Sequence, residues 1–237
     1  IQEDLKKYRA PHLAIILVGS HPASLSYIKG KLKAAESVGM KATLHHFEDD
    51  VQTDTVYQKI QMLNNDKDVD GMILQLPLPK HLDESYLTQA IDVSKDADGF
   101  HVLNQGLLYQ GKPAVKPATP YGMTLLLKAY NIDVLGKHAV IIGRSNIVGF
   151  PIARLLMDLG ATITVCHSKT KDLSYHTKQA DILVVSVGKP HLITKNMIKK
   201  DAIILDVGIN KVDEKLVGDV DYNDVYDHVS AITPVPG

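Results

Sequence analysis

The feature that most constrains this chain is a series of short runs of Ile, Val and Leu that lack polar alternation. They recur along the sequence at His12–Val18, Ala42–Phe47, Gly71–Leu76, His138–Ile142, Ala161–Cys166, Asp181–Val187, Ala202–Val207 and His228–Ile232. Strands of that kind are buried on both faces. Between them lie segments with helical spacing of apolar residues, at Pro22–Val38, Asp54–Asn64, Tyr121–Tyr130 and Pro151–Leu159. Strand, helix and strand in succession give parallel sheets joined by right-handed crossovers. The fold class expected is therefore α/β, with two α/β domains rather than one continuous sheet. Length permits this, since 237 residues suffice for two small domains. The boundary is expected within Gly106–Tyr121, where Pro113, Pro117 and Pro120 break every periodicity; an ordinary surface loop reads the same way. This gives domains 1–117 and 118–237. No internal repeat is visible in the sequence.

Charge narrows the function. Lys and Arg number 26 against 27 Asp and Glu, for a net charge of -1. That balance provides no field for a polyanion, so no nucleic-acid partner is expected. No apolar run reaches the ~18 residues of a membrane span, and no membrane partner is expected. The single cysteine, Cys166, excludes an internal disulfide framework and favours a reducing, cytoplasmic setting. An organellar form stays open, because Ile1 is no initiator Met. Both ends, including Pro234-Val235-Pro236-Gly237, are expected to be trimmed.

One motif joins a strand to a helix through glycine. His138–Ile142 runs into Gly143-Arg144-Ser145-Asn146-Ile147-Val148-Gly149, and Pro151 opens the following helix. Backbone N–H groups and the positive end of a helix dipole make such a turn a phosphate site. Ser145 stands where the usual dinucleotide fingerprint has its second Gly, so a tight turn without ligand is the competing reading. An NAD site places an acid after the next strand. Here His167-Ser168-Lys169-Thr170 follows, with no carboxylate before Asp172. Arg144 and Ser168 suit a 2′-phosphate, which favours NADP. Gly188 and Gly208 end two further strands where a dinucleotide could approach backbone, or where a plain turn occurs.

In the first half, Ser24, Tyr27 and Lys31 form a stripe beside the apolar Leu25, Ile28, Leu32 and Ala35. At that rim burial can lower an ammonium pKa and leave a usable amine. A snorkelling lysine beside a boundary tyrosine has the same spacing. Gln75 ends an apolar run before two prolines and must find hydrogen-bond partners. Asp96 and Asp98 fit ordinary turn chemistry. His45 and His46 with Asp49 and Asp50 match no common metal spacing, so no metal is expected.

Together these segments resemble the methylenetetrahydrofolate dehydrogenase/cyclohydrolase family over nearly the whole chain. The resemblance rests on Val18-Gly19 with Pro22-Ala23-Ser24, Tyr27–Lys31, Gln75–Pro79, Asp96–His101, Gly143–Pro151, Gly218–Asp221 and Ile232–Gly237. It implies a folate cleft between two α/β domains and NADP on a C-terminal Rossmann domain. It further implies oxidation of 5,10-methylenetetrahydrofolate and hydrolysis of the methenyl product, in one-carbon metabolism. By the same resemblance Tyr27 lies against the pterin, Lys31 is the catalytic lysine, and Gln75 hydrogen-bonds and tunes it. Asp98 grips the pterin amide and amino edge, Ser24 supports the group, and Leu76 and Pro77 line the substrate. Gly143, Arg144, Ser145, Ile147, Ser168 and Ile209 fall to the cofactor, and a homodimer is suggested. Ala97 and Ala118 depart from the family pattern without removing a polar catalytic group. An N-terminal helix, and a glycine-rich stretch with a helix after Gly237, belong to the family pattern and are not in this sequence. Other readings are an NADP-linked dehydrogenase of a small hydroxy acid and a non-enzymatic nucleotide-binding module.

Overall fold

The computed structural model describes residues 5 and 8–236. The chain divides between Val115 and Lys116 into two compact units.

In the first unit, β1 (His12–Val18) leads to α1 (Pro22–Ser37), β2 (Lys41–Phe47), α2 (Thr53–Asn65), β3 (Gly71–Leu74), α3 (Glu84–Gln89) and α4 (Val102–Tyr109). The strands form a parallel sheet in the order β2-β1-β3. Side chains of β1 alternate between its faces, as strand geometry demands. Ile15 and Leu17 pack with Ile28 of α1. Ala14, Ile16 and Val18 pack with Val56, Ile60 and Leu63 of α2 and with Met72 and Leu74. Both faces are covered, which is why β1 is apolar from Leu13 to Val18. Beyond β3, Asp96 makes an isolated parallel bridge with Met72, so Asp98 lies level with the last residue of β3.

In the second unit, α5 (Ala118–Ala129), β4 (His138–Ile142), α6 (Gly149–Asp158), β5 (Thr162–Cys166), α7 (Leu173–Thr177), β6 (Ile182–Val185) and β7 (Ile203–Asp206) come first. β8 (Asn210–Val212), β9 (Lys215–Val217), α8 (Tyr222–Val225) and β10 (Ala231–Ile232) complete it. A parallel five-stranded sheet has the order β10-β7-β6-β4-β5. Ala139, Ile141, Ile182 and Val184 bury one face against α5 and α6, and Val140, Ile142, Leu183 and Val185 bury the other.

Three expectations change in detail. The helix expected from Tyr121 starts earlier, for Ala118, Thr119 and Pro120 form the first turn of α5, with Pro120 buried. Proline is tolerated there because first-turn N–H groups have no intrahelical partner. α6 begins at Gly149, ahead of Pro151, for the same reason. The antiparallel hairpin β8–β9 is additional, closed by Asp213 and Glu214 at positive φ.

Both sheets are fixed at their N-terminal edge by one device. His12 N donates to Asp70 Oδ2 (2.8 Å), its Nδ1 meets Asp68 O (3.2 Å) and its Nε2 meets Thr43 Oγ1 (2.7 Å). His138 N donates to Asp181 Oδ2 (2.9 Å), its Nδ1 meets Gln179 O (3.1 Å) and its Nε2 meets Thr164 Oγ1 (2.9 Å). Each carboxylate also pairs with a cation, Asp70 with Arg9 at 2.6 Å and Asp181 with Lys199 at 2.5 Å.

Candidate functional site

In an open parallel sheet, ligands bind beyond the carboxyl ends of the strands where strand order reverses. The first sheet reverses between β1 and β3, and the second between β4 and β6. The loops at those four strand ends carry most of the residues singled out in the sequence.

In the first unit α1 follows β1, and Pro22 occupies its first turn, where a missing N–H costs nothing. Ser24 is buried, while Tyr27 is 52% exposed. The Lys31 Nζ lies 4.7 Å from the centroid of the Tyr27 ring, a cation–π geometry. Burial pushes the Lys31 amine below its usual value, opposed by the charge of Asp98. The Asp98 carboxyl is pushed up by burial, with Lys31 lowering it and Asp96 raising it. Tyr27, Lys31 and Asp98 are therefore brought together, whereas Lys29 and Lys33 are exposed. Among the described residues packing does not require Gly30, because a Cβ there would meet nothing within 4 Å.

The two acids after β3 have different surroundings. Asp96 is 3% exposed and accepts hydrogen bonds from Phe100 N, His101 N and Asn104 Nδ2. It shapes the turn. Asp98 faces Lys31. Gln75 does not hydrogen-bond Lys31: its Nε2 donates to Leu76 O at 2.8 Å. Its Oε1 is buried without a hydrogen-bond partner among the described residues. An unsatisfied buried acceptor is rare and marks a place for a donor. Leu76 and Pro77 follow it, Leu76 half-buried and Pro77 exposed.

His46 Nε2 meets Gly19 O at 2.8 Å, tying β2 to the turn before α1. Among the described residues no group of three His, Cys, Asp or Glu could hold a metal ion.

In the second unit the glycine loop is closed from within. Gly143 has φ +120°, and a Cβ there would stand 2.6 Å from Ser186 O. Gly149 packs directly on the Gly143 carbonyl, with no room for a side chain. Ser145 Oγ accepts from Val148 N (3.1 Å) and Gly149 N (3.3 Å), and Ser145 O accepts from Phe150 N (3.0 Å). The serine that replaces the second glycine thus satisfies helix-terminal N–H groups expected to point at a ligand. Arg144 and Ile147 remain exposed.

Gly143 N donates to Cys166 O at 2.9 Å, which sets the Arg144 backbone beside the end of β5. There His167–Thr170 folds into a turn: His167 N donates to Thr170 Oγ1, and Lys169 N donates to His167 Nδ1. Ser168 is exposed on it. Asp172, the first acid after β5, caps α7 by accepting from Tyr175 N. No carboxylate lies on the turn itself to accept from a ribose 2′-hydroxyl, while an exposed guanidinium and hydroxyl, those of Arg144 and Ser168, are donors of the kind a 2′-phosphate takes. These residues fit NADP. Ile209 is 64% exposed after β7. The sequence analysis assigns no role to Asp219 and Asn210, because the burial of an acid beside Gly218 shows only in the structure.

Comparison with known proteins is consistent across the chain. Residues 1–98 match the family model for the tetrahydrofolate dehydrogenase/cyclohydrolase catalytic domain. Residues 117–237 match the NAD(P)-binding domain of the same family. The bifunctional protein FolD of Acholeplasma laidlawii is 54% identical over 228 residues, covering 96% of this chain and 82% of that protein. The FolD methylenetetrahydrofolate dehydrogenase/cyclohydrolase structure from Campylobacter jejuni superposes with a TM-score of 0.95 at 46% identity, covering 100% of this chain and 85% of that one. A Trypanosoma brucei methylenetetrahydrofolate dehydrogenase-cyclohydrolase, solved with NADP cofactor and inhibitor, gives 0.95 at 32% identity with the same coverage. Family models, sequence likeness and solved structures agree, and this chain belongs to the tetrahydrofolate dehydrogenase/cyclohydrolase family.

Proposed function

We propose that this enzyme oxidises 5,10-methylenetetrahydrofolate to 5,10-methenyltetrahydrofolate with NADP+ and hydrolyses that product to 10-formyltetrahydrofolate. The observation that supports the reading is the Lys31 amine 4.7 Å from the centroid of the exposed Tyr27 ring and within electrostatic reach of Asp98, with burial lowering the amine and raising the carboxyl. Pairs of titratable groups displaced in this way are poised for proton transfer and for gripping a polar ligand edge.

When bound, NADP+ supplies the hydride acceptor. Loss of hydride from the N–CH2–N carbon leaves a cation spread over two nitrogens, so that step asks the protein for positioning rather than for a base. Tyr27 is assigned to the pterin face and Asp98 to the amide and amino edge, where a carboxylate can take two parallel hydrogen bonds. Ser24 supports this group, and Leu76 and Pro77 line the substrate. Hydrolysis then needs a water deprotonated and a ring nitrogen protonated. A lysine of lowered pKa suits both tasks. Gln75, with its unpartnered Oε1, offers the acceptor that would orient the Lys31 amine.

Folate is assigned to residues 1–117 and NADP to 118–237. Arg144 and Ser168 are assigned to the 2′-phosphate, and Gly143, Ser145, Ile147 and Ile209 to the rest of the dinucleotide. A homodimer in the cytoplasm, feeding one-carbon units to syntheses such as that of purines, completes the reading. Among the described residues no helix is long and apolar enough to cross a membrane. The test is the absorbance of methenyltetrahydrofolate formed from the methylene substrate with NADP+ or NAD+. Formation with NADP+ and its subsequent hydrolysis are expected. A chain that produces no methenyl compound with either cofactor overturns the assignment.

A further inference from the structure

The second unit buries a carboxylate that the proposed reaction does not use. Asp219 is 0% exposed. Its Oδ2 accepts from Val187 N (2.7 Å) and Gly188 N (3.0 Å), and its Oδ1 from Lys189 N (2.7 Å) and Asn210 Nδ2 (2.9 Å). Three successive amides converging on one carboxylate fix the backbone of the turn after β6. The carboxylate is itself held, because Asp219 N donates to Asp206 Oδ1 (3.1 Å) and Val220 N to Asp206 Oδ2 (2.9 Å). Gly208, just after β7, packs against the Asp219 carboxylate, where any side chain would collide with it.

The fixed turn lies at the place where the second sheet reverses. Ser186, the residue before it, presses its carbonyl on Gly143 of the glycine loop. Asn210, on the other side of Asp219, follows Ile209. We propose that Asp219 is a positioning residue for the dinucleotide, holding the Val187–Lys189 turn and Asn210 in the shape that the cofactor meets. This rests on the assignment of NADP to the second unit. Asp219 does not touch the ligand in this account. Its charge is satisfied by four donors, so it presents no bare anion to a phosphate, and its effect passes through backbone.

The four donors require two accepting oxygens. In Asp219→Asn one oxygen becomes an N–H donor facing amide donors, so at least one of the three amides loses its acceptor and the turn must rearrange. A lock that serves stability alone would lower melting temperature without altering cofactor affinity. Asp181→Asn supplies that comparison, since Asp181 holds the opposite, N-terminal edge of the same sheet.

The experiment is calorimetric titration of NADP+ into the parent, Asp219→Asn and Asp181→Asn proteins, beside thermal melts and both activities. Asp219→Asn is expected to raise the Kd for NADP+ at least tenfold. The ratio of dehydrogenase to hydrolase rate at subsaturating NADP+ should fall by a similar factor. Asp181→Asn should melt earlier with its Kd within about twofold of the parent. If Asp219→Asn binds NADP+ as the parent does, or Asp181→Asn loses as much affinity, the proposal is overturned. Should Asp219→Asn fail to fold, Asn210→Ala removes only the side-chain donor and is expected to raise Kd about threefold; a parental Kd there overturns the proposal equally. A parent that binds no NADP+ strikes the cofactor assignment itself.

Discussion

Lys31 shows how far one side chain can be read before its surroundings are known. Its position seven residues after Ser24 and four after Tyr27 put it at the rim of an apolar helix face. That spacing served a snorkelling lysine equally well, because periodicity does not say what approaches the rim from outside the helix. Asp98, 67 positions further along the chain, comes within electrostatic reach of the amine only through the fold. The same limit applied to Asp96 and Asp98, which only tertiary hydrogen bonding could tell apart. Lys31→Met is expected to lose methenyl hydrolysis by roughly 10²–10⁴-fold, the usual contribution of a general acid–base group. Measurable dehydrogenase activity should remain, since hydride loss needs no proton removed at the reacting carbon. Lys29→Met, on the exposed side, should change neither rate. Parental hydrolysis by Lys31→Met would return the residue to a surface role. Arg144 makes a second residue-scale case. One charge-assisted contact contributes about 1.5–3 kcal/mol, so Arg144→Ala should raise the KM for NADP+ by roughly 10- to 100-fold. Use of NAD+, which lacks the 2′-phosphate, should scarcely change. Equal losses with both cofactors would mean that Arg144 serves the loop and not the ligand.

Elements were legible where burial on both faces wrote an unbroken apolar run, as in β1 and β4, whose limits the sequence reading matched. The hairpin β8–β9 was not legible, because three-residue strands carry too little pattern and its turn uses Asp213 and Glu214 in place of the Asn-Gly that usually signals positive φ. Nor could the sequence show the edge device of His12 and His138, whose partners are far away in the chain. Its energetics follow from the two carboxylates. The His12 backbone N–H, followed by the Arg9 side chain, holds Asp70 below its usual pKa of 3.8. Lys199, followed by the His138 N–H, does the same for Asp181. A carboxyl whose folded pKa is depressed gives stability that is complete above its unfolded value and is lost as pH falls through the folded value. Both contributions should therefore be full at neutral pH and fade below about 3.8. Asp70→Asn and Asp181→Asn are each expected to cost about 1 kcal/mol at pH 7, a modest figure because these side chains are partly solvated. Melting curves across pH 3 to 7 would check this. The deficit of each variant should shrink toward acid, and a deficit constant with pH would show that geometry, not charge, is what Asn fails to reproduce.

At the scale of the molecule the two units share a plan that the sequence conceals. β2-β1-β3 and β5-β4-β6 have the same order, the same parallel sense and the same histidine, threonine and aspartate at the N-terminal edge. From His12 the partners Thr43 and Asp70 follow at 31 and 58 residues, whereas from His138 Thr164 and Asp181 follow at 26 and 43. Loops of unequal length therefore destroy any fixed repeat, although strand pairing restores the correspondence in space. Each sheet has its own reversal point, followed in one unit by the helix that carries Lys31 and in the other by a closed glycine loop. Each unit buries its own core, α1 and α2 on the first sheet, α5 and α6 on one face of the second. A ligand that binds only the folded state stabilises it by RT ln(1 + [L]/Kd), about 2.7 kcal/mol at a hundredfold excess over Kd. Differential scanning calorimetry should accordingly resolve two transitions. NADP+ should raise the transition of the second unit and leave the first in place, and a tetrahydrofolate derivative should do the reverse. Arg144→Ala should abolish most of the NADP+ shift without touching the folate shift, which also identifies the transitions. A single transition displaced equally by both ligands would show that the two cores melt as one cooperative body and that the division of labour between the units does not extend to their stability.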